Sequence, residues 1–304
     1  MDQLHKFLFE GRAVRGSLVR LEGAWQQMLA RRAASGAYPE PVQQLLGQMT
    51  AAAALMQSGI TFDGALVLQI SGDGPVKLAV AEARADLALR STATVIGAVA
   101  PGTDWQALVN PKGGARCALT LDAGKGQQPY QGVVSLTGEP DLAQALAHYM
   151  RQSEQVDTQL VLAASDTVAA GLLIQRLPTT GVGNLGGEAG AEDFNHLAHL
   201  VATLTADELL TLPPETVLNR LFWEERLTRF APLTPRFACT CSRERVAAML
   251  QGLGREEVEG LIDERGAVDV GCEFCGQPYR FDAVDAAALF APVTPVHLGN
   301  STLQ

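Results

Sequence analysis

Four cysteines near the C-terminal end of the chain have the type and spacing of a metal site. Cys239 and Cys241 are separated by one residue, and further along the chain Cys272 and Cys275 are separated by two. Zn²⁺ takes four ligands in a tetrahedron, with Zn–S bonds of about 2.3 Å, and a close pair of cysteines in one tight turn can supply two of them. The sequence therefore predicts that these four cysteines bind one Zn²⁺ per chain.

The same cysteines can also do redox chemistry. A disulfide between Cys239 and Cys241 would close a very small ring, in which strain makes the bond easy to reduce. Oxidation would eject the metal, because zinc binds deprotonated sulfur. The spacing equally fits a zinc site that only holds a small domain together. From the cysteines alone, a redox switch and a static zinc module both stay open.

The charge of such a site has to be balanced. Four thiolates around one Zn²⁺ leave a net charge of about −2. Arg243, Arg245 and Arg280 lie close to the cysteines in sequence and are expected to offset this charge.

The residues around the cysteines predict the elements that position them. Ser242 is a suitable N-cap, and apolar residues at helical spacing follow it as far as Gly254, which suits the left-handed position after a helix. The predicted elements are a helix over Arg243–Leu253, a short helix over Glu256–Glu264, a strand over Ala267–Gly271, a metal-bearing turn over Cys272–Cys275, a return strand over Tyr279–Phe281 and a last helix opened by Asp282. Because a unit of about 65 residues buries little apolar surface, its folding should depend on the metal.

The whole chain is predicted to have an α+β fold in three regions. Residues 1–178 form a mixed α/β core domain, residues 179–235 a hinge and helical linker, and residues 236–304 the small zinc-binding domain. The hinge is the Gly-rich stretch Thr179–Ala191. In the core, the predicted strands are Gly16–Arg20, Leu66–Ile70, Val76–Ala81 and a buried strand within Leu160–Leu173, and the predicted helices are Tyr38–Gln57 and Asp141–Gln155.

Several longer motifs then point to a known family. They are Phe237-Ala-Cys-Thr-Cys-Ser-Arg-Glu-Arg245, Cys272-Glu-Phe-Cys275, Tyr279-Arg-Phe-Asp282, Tyr130-Gln-Gly-Val-Val-Ser-Leu-Thr-Gly138, Tyr149-Met-Arg-Gln-Ser-Glu-Gln155, Ala170-Gly-Leu-Leu-Ile-Gln-Arg-Leu-Pro178 and Leu221-Phe-Trp-Glu-Glu225. With them, nearly the whole chain resembles the redox-regulated 33 kDa chaperonin family (heat-shock protein 33). The resemblance implies a stress-induced bacterial holdase that is inactive while reduced and zinc-bound.

The resemblance also implies how such a protein is activated. Oxidation forms two disulfides, the linker unfolds, and the protein binds unfolding client proteins, with dimerisation of the oxidised form. Local spacing and the resemblance together favour the pairs Cys239–Cys241 and Cys272–Cys275, with Cys117 left reduced.

The linker is rich in apolar residues, which must lie on another part of the protein. An ordinary docked helical hairpin and a metastable one are equally compatible with its pattern. The resemblance favours a metastable linker, whose apolar residues would bind clients once exposed. The predicted client-binding residues are Leu209, Leu218, Leu221, Phe222 and Trp223.

Composition excludes some classes of partner. The formal net charge is −10 and the pI is near 5.0, and residues 236–304 carry six basic against ten acidic side chains. A nucleic-acid-binding zinc module would need a basic face, so no nucleic acid partner is expected. The sequence has neither a signal-peptide pattern nor an apolar run of 18 residues, so a cytoplasmic location without membrane association is expected.

Three other motifs carry weaker signals. Gly181, Gly183 and Gly186 match a dinucleotide-binding pattern literally, but more loop follows them rather than a helix N-terminus. His196 and His199 share a predicted helix face and are expected to be solvated or capping rather than ligands. Cys117, among apolar neighbours, is expected to be a buried inert thiol.

The chain is not expected to be an enzyme, since it has no nucleophile elbow, phosphate-binding loop or paired-carboxylate signature. The runner-up function is a thiol–disulfide oxidoreductase that uses Cys272 and Cys275. Such an enzyme would place this pair at a helix N-terminus, whereas a β-turn is predicted here. A purely structural zinc protein is the third interpretation.

Overall fold

The structure is a computed structural model, and it describes residues 1–124, 126–178 and 188–291. The described residues form two compact units, one before and one after the boundary between Cys239 and Thr240. The helices are α1 Gly23–Ala33, α2 Glu40–Ser58, α3 Trp105–Val109, α4 Leu142–Ser153, α5 Glu188–Ala202, α6 Ala206–Thr211, α7 Pro214–Leu221, α8 Arg243–Leu253, α9 Arg255–Arg265 and α10 Ala283–Leu289. The strands are β1 Gln3–Phe9, β2 Val14–Leu21, β3 Ala65–Ser71, β4 Val76–Arg84, β5 Ala88–Val95, β6 Arg116–Asp122, β7 Tyr130–Ser135, β8 Thr158–Ala164, β9 Ala169–Arg176, β10 Leu227–Arg229, β11 Arg236–Phe237, β12 Val268–Gly271 and β13 Pro278–Phe281. The predicted α+β class is confirmed.

The larger sheet of the first unit has the strand order β11-β5-β4-β3-β6-β7. Its pairs are antiparallel, except that β11 runs parallel to β5. Strand β3 shows the alternation expected of a sheet with one buried face: Leu66, Leu68 and Ile70 are buried and the residues between them are half-buried. These leucines and the isoleucine form part of the main core.

The second sheet has the order β10-β1-β2-β9-β8 and is covered on both faces. Along β9, Leu173 belongs to the main core, whereas Leu172 and Ile174 belong to a second apolar cluster. The single buried strand predicted within Leu160–Leu173 is wrong, because this segment is the hairpin of β8 and β9. The chain reverses at Ser165, whose backbone N–H donates to the carbonyl of Val168 at 2.8 Å.

Helix α2 contacts strands of both sheets. The four consecutive alanines of this helix, Ala51 to Ala54, are all fully buried. Gly47 permits the closest approach of this helix, since a Cβ there would lie 2.5 Å from Cβ of Ala164 on β8. Small side chains therefore let the longest helix of the first unit lie directly on the sheet.

The linker helices α5, α6 and α7 supply much of the second apolar cluster. Phe222, at the end of α7, contacts Phe7 and Phe9 of β1, with ring centroids 5.9 and 4.9 Å apart. Arg20 of β2 donates to the carbonyl of Leu210 at 2.8 Å, which satisfies an acceptor at the end of α6. Helix α5 begins at Glu188, inside the predicted hinge Thr179–Ala191, and residues 179–187 lie outside the described residues.

After the helices, the linker adds one edge strand to each sheet. Strand β10 pairs with β1, and a bridge between Leu4 and Leu233 extends this pairing with two backbone hydrogen bonds of 2.9 Å. Strand β11 then pairs with β5. The linker up to Cys239 thus belongs to the first compact unit, and the separate domain boundaries at residues 178 and 235 stay predictions.

The second unit contains the predicted elements in the predicted order. Ser242 and Asp282 cap α8 and α10 with their side-chain oxygens, as expected. Its core is small and consists of Leu250, Val258, Ile262, Val268, Phe281 and Ala286. None of the described helices of the chain is both long and apolar enough to cross a membrane.

We expect the linker to be held mainly by its buried aromatic contact. Replacing Phe222 with Ala should lower the free energy of unfolding of the first unit by about 3 kcal/mol or more, because a large buried side chain is removed and a cavity is left. Urea unfolding followed by circular dichroism measures the change. Trp223→Ala is the matched control, since this neighbouring aromatic side chain is 77% exposed and its loss should change stability by less than about 0.5 kcal/mol. Equal effects of the two variants would contradict the described packing.

Candidate metal centre

The structure brings together the four cysteines that the sequence singled out. The Sγ atoms of Cys239, Cys241, Cys272 and Cys275 all lie within 4.8 Å of one another. None of the four cysteines is in a disulfide bond, and the Sγ atoms of Cys241 and Cys275 are 3.4 Å apart. Cys275 is buried and the other three are half-buried. In the described part of the chain, this is the only group of three or more His, Cys, Asp or Glu side chains arranged to hold a metal ion.

Each pair of cysteines is positioned by local backbone structure. Cys239 follows β11, where the N–H of Ala238 donates to the carbonyl of Leu89 at 3.1 Å. Cys272 begins a tight turn after β12: its carbonyl accepts from the N–H of Gly276 at 2.7 Å. Gly276 has a φ of +69°, a conformation that favours glycine. The predicted metal-bearing turn between two strands is therefore confirmed as a turn.

The geometry fits a tetrahedral zinc ion. Four sulfur atoms at about 2.3 Å from a central Zn²⁺ are about 3.8 Å from one another, and the separations here range from 3.4 Å to no more than 4.8 Å. Thiolate sulfur is the soft ligand that zinc prefers in closed four-coordinate sites. The four cysteines would hold the ion without a further protein ligand, which is the arrangement of a structural site rather than a catalytic one.

Two residues outside the cysteine motifs donate to the sulfur atoms. Arg90 of β5 is hydrogen-bonded to Cys239 and to Glu82. Burial of the guanidinium group opposes its charge, but these two partners outweigh burial and raise the pKa of Arg90 above its ordinary value. Tyr279 of β13 is hydrogen-bonded to Cys241, and this bond is the main cause that raises the pKa of the phenol. Hydrogen bonds to ligand atoms orient the ligands and tune their basicity.

The arginines that the sequence proposed as charge partners have other contacts. Arg243 pairs with Asp285 at 2.8 Å and stacks over the ring of Phe281. Arg280 pairs with Asp269 at 3.1 Å. The expected role of Arg243, Arg245 and Arg280 in offsetting the charge of the site stays a prediction. Arg90 was not proposed from the sequence, because it lies on a strand far from the cysteines along the chain. Its only sequence signal was that it is the one charged residue of the strand Ala88–Val95.

The predicted client-binding residues do not form one exposed surface in this structure. Leu209, Leu218 and Phe222 are buried in the second apolar cluster, and Leu221 packs partly against it. Trp223 alone of the five is exposed. Their role in binding clients stays a prediction.

The three motifs with weaker signals do not join the cysteine cluster in the described residues. Cys117 on β6 is buried as expected, and burial raises the pKa of its thiol to about 12. His196 and His199 on α5 are both exposed, and His196 lies 3.4 Å from the carboxylate of Glu225. The Gly181-Val-Gly183-Asn-Leu-Gly186 motif lies outside the described residues.

Comparisons with known proteins agree with this geometry. The family model described as Hsp33 protein matches residues 2–282. The chain belongs to the Hsp33 family. It is 46% identical to the 33 kDa chaperonin of Chromobacterium violaceum over 290 residues, which are 95% of this chain and 94% of that protein. It is 44% identical to the 33 kDa chaperonin of Azotobacter vinelandii over 292 residues, 95% of each chain.

A solved structure shows the same fold. The crystal structure of the 33 kDa chaperonin from Thermotoga maritima matches this Hsp33 chain with a TM-score of 0.76, although only 22% of the residues are identical. The match covers 94% of this chain and 97% of that one. The family and its chaperonin-named members support a chaperone as the general function, and the similarity of sequence extends through the cysteine motifs.

We expect metal binding to need all four clustered cysteines. The reduced chain should carry about one zinc, and Ser at any one of Cys239, Cys241, Cys272 or Cys275 should remove most of it after dialysis against a chelator, because a closed tetrahedron loses a ligand. Metal analysis of the purified variants measures the content. Cys117→Ser is the control and should keep its zinc, since this thiol is buried in β6. Full zinc content in a variant without Cys272 and Cys275 would contradict the assignment.

Proposed function

We propose that this chain is a redox-regulated, ATP-independent holdase that binds unfolding proteins under oxidative stress. The observation that supports this function most directly is the convergence of the only four clustered thiols among the described residues on one closed site, in a chain of the Hsp33 family. In the reduced state the four cysteines hold one Zn²⁺ and the protein is inactive. Oxidation activates it.

The activating chemistry takes place on the cysteines. A peroxide attacked by one thiolate of a pair gives a sulfenic acid, and the second thiol of the pair displaces water to form the disulfide. Each pair donates two electrons and reduces one peroxide to two waters. The pairs are Cys239 with Cys241 and Cys272 with Cys275. Zinc is released because disulfide sulfur, unlike thiolate, is a poor ligand.

Release of the metal destabilises the small unit. Among the described residues of this unit, six form its buried apolar cluster, and so small a core depends on an additional cross-link. The chain immediately before this unit contains the strands β10, at the end of the linker, and β11, which are three and two residues long. Short edge strands open at low free energy. Loss of order therefore spreads along the chain into the linker.

Opening of the linker provides the surface for clients. The linker side chains Leu209, Leu218 and Phe222 are buried against the sheet. When the linker leaves, both these residues and the sheet face that they cover become accessible, and a large exposed apolar patch binds unfolded chains. A homodimer of the oxidised form would present two such surfaces, which together would bind one client more tightly than a single surface does. We place the protein in the cytoplasm, without nucleic acid or membrane partners, in keeping with its net charge of −10.

The alternative functions are less well supported. A thiol–disulfide oxidoreductase lowers the pKa of its attacking cysteine at a helix N-terminus, whereas Cys272 lies in a turn between β12 and β13. A static zinc protein would not need the segment that joins the linker to Cys239 and is hydrogen-bonded to the edges of both sheets. The experiments below separate the three.

We expect oxidation to switch on chaperone activity. The zinc-bound reduced chain should leave the thermal aggregation of citrate synthase unchanged, and the chain treated with peroxide and mild heat should suppress it without ATP, because only then is apolar surface exposed. Light scattering measures the aggregation. Reduction of insulin by the reduced chain would instead favour the oxidoreductase, and activity that is equal before and after oxidation would favour a constitutive or static protein. Peptide mapping of the active sample should find the pairs Cys239–Cys241 and Cys272–Cys275.

We expect the linker to lose protection in step with activity. Amide hydrogen exchange should become fast over residues 206–229 on oxidation, because α6, α7 and β10 leave the sheet, whereas β3 in the middle of the larger sheet should stay protected as an internal control. Mass spectrometry of peptic fragments measures both regions in one sample. If residues 206–229 are as protected in the active form as in the reduced form, the linker does not gate client binding.

A further inference from the structure

Arg90 carries a charge into a half-buried position of the larger sheet. It lies on β5 directly opposite Glu82 of β4, and its Nε donates to Oε2 of Glu82 at 3.0 Å. The side chains of Arg90 and Glu82 are 18% and 12% exposed. Two groups that are this well shielded from water interact more strongly than a surface pair, and the pair fixes the direction of the guanidinium group.

The fixed guanidinium group also contacts the first cysteine of the cluster. It is hydrogen-bonded to Cys239, which is the last residue of the same compact unit. The backbone before Cys239 is held beside β5 by two hydrogen bonds, from Arg236 N–H to the carbonyl of Leu87 at 3.0 Å and from Ala238 N–H to the carbonyl of Leu89 at 3.1 Å. The pairing of β11 with β5 therefore holds the chain that leads into Cys239 beside Arg90, through backbone hydrogen bonds that do not involve the metal.

We propose that Arg90 is a positioning residue of the metal centre, which donates a hydrogen bond to the Cys239 thiolate and so stabilises the metal-bound form of that cysteine. This inference rests on the part of the proposed function in which the four cysteines bind zinc. It adds a residue from the core sheet to a site otherwise built from local cysteine motifs.

The physical reason is the charge of the site. A tetrathiolate zinc centre has a net charge of about −2, and a nearby cation lowers the free energy of the state in which every sulfur is deprotonated. Arginine remains protonated at any relevant pH and offers five N–H donors, so that one group can serve Glu82 and Cys239 together. A thiolate that accepts such a bond is also a weaker nucleophile, which slows its reaction with oxidants. Arg90 should therefore strengthen zinc binding and delay zinc release.

Glu82 provides a control that separates charge from packing. If Arg90 acted only through the stability of its ion pair, removal of either partner would weaken zinc binding to a similar degree. If it acts on the sulfur, loss of Glu82 leaves the cation in place with more of its donors available to Cys239. Glu82→Gln keeps the size of the side chain and removes its charge.

The experiment measures the zinc dissociation constant of the reduced, full-length chain under argon by competition with a chromogenic chelator. Arg90→Gln should weaken zinc binding by about 10-fold or more, the usual effect of losing a hydrogen bond to a metal ligand. Arg90→Lys should restore part of the affinity, because it keeps the charge but not the planar fork. Glu82→Gln should bind zinc at least as tightly as the unmodified chain. The rate of zinc release by peroxide should rise in Arg90→Gln and not in Glu82→Gln.

A structural readout accompanies these measurements. Substitution of Co²⁺ gives thiolate charge-transfer and ligand-field absorption bands, which should keep a tetrathiolate pattern in all three variants and shift in energy when Arg90 is lost. Unchanged zinc affinity in Arg90→Gln, or equal weakening in Arg90→Gln and Glu82→Gln, would overturn the proposal. If Arg90→Gln does not fold, the zinc dissociation constants of Arg90→Lys and Glu82→Gln are compared instead. Weaker binding in Arg90→Lys than in Glu82→Gln then supports the proposal, and equal binding overturns it. An unmodified chain without zinc would overturn both this proposal and the proposed function, whereas zinc binding that is indifferent to Arg90 overturns this proposal alone.

Discussion

The mutual repulsion of four thiolates at one point is the constraint on which the small unit depends. Sulfur atoms within 4.8 Å of one another cannot all be deprotonated at low free energy unless a cation lies among them. A divalent ion turns this repulsion into four bonds, and so links the beginning of the small unit to its hairpin of β12 and β13. Six buried residues would not hold these segments together alone. Binding of a divalent ion by the four cysteines would make metal binding and folding one equilibrium in this part of the chain.

The first unit is stabilised differently. Its sheets are packed on α2, where alanines and Gly47 allow close contact, and on the linker helices, where aromatic rings meet. The α2 side is nearly continuous core, whereas the linker contributes short helices of six and eight residues. Helices of that length are not stable in isolation and depend on their packing. One face of the sheet is therefore covered by the long helix α2, which is part of the main core. The other face is covered by short linker helices, which depend on their packing against the sheet for stability.

The sequence predicted best what is decided locally. The capping side chains of Ser242 and Asp282 needed only their neighbours, and the cysteine spacing was sufficient to predict that the four sulfur atoms lie close together. The hairpin within Leu160–Leu173 was missed because its turn contains no glycine, proline or asparagine, so that the polar residues Ser165 and Asp166 were taken as an interruption of one buried strand rather than as a turn between two. The start of α5 at Glu188 was hidden by the preceding glycines.

The features that the sequence did not predict depend on contacts between residues far apart along the chain. Strands β10 and β11 have two or three residues and no periodicity of their own; they are strands only because β1 and β5 offer free edges. The pairing of β11 with β5 also brings the chain next to Cys239 beside Arg90, to which Cys239 is hydrogen-bonded. No pattern within either segment indicates a partner so distant along the chain. The apolar linker residues, in contrast, recur at helical spacing, and the prediction that they pack against another part of the protein was correct.

One consequence of this arrangement concerns the backbone rather than the side chains. Strands β10 and β11 each close one edge of a sheet, and both belong to the segment that joins the linker to the metal centre. Departure of that single segment would uncover a row of N–H and C=O groups on β1 and another on β5. Such edges pair with any extended polypeptide, whatever its side chains. An unfolding protein, which exposes extended backbone as well as apolar residues, could then add a strand to either sheet, so that recognition would need no particular sequence.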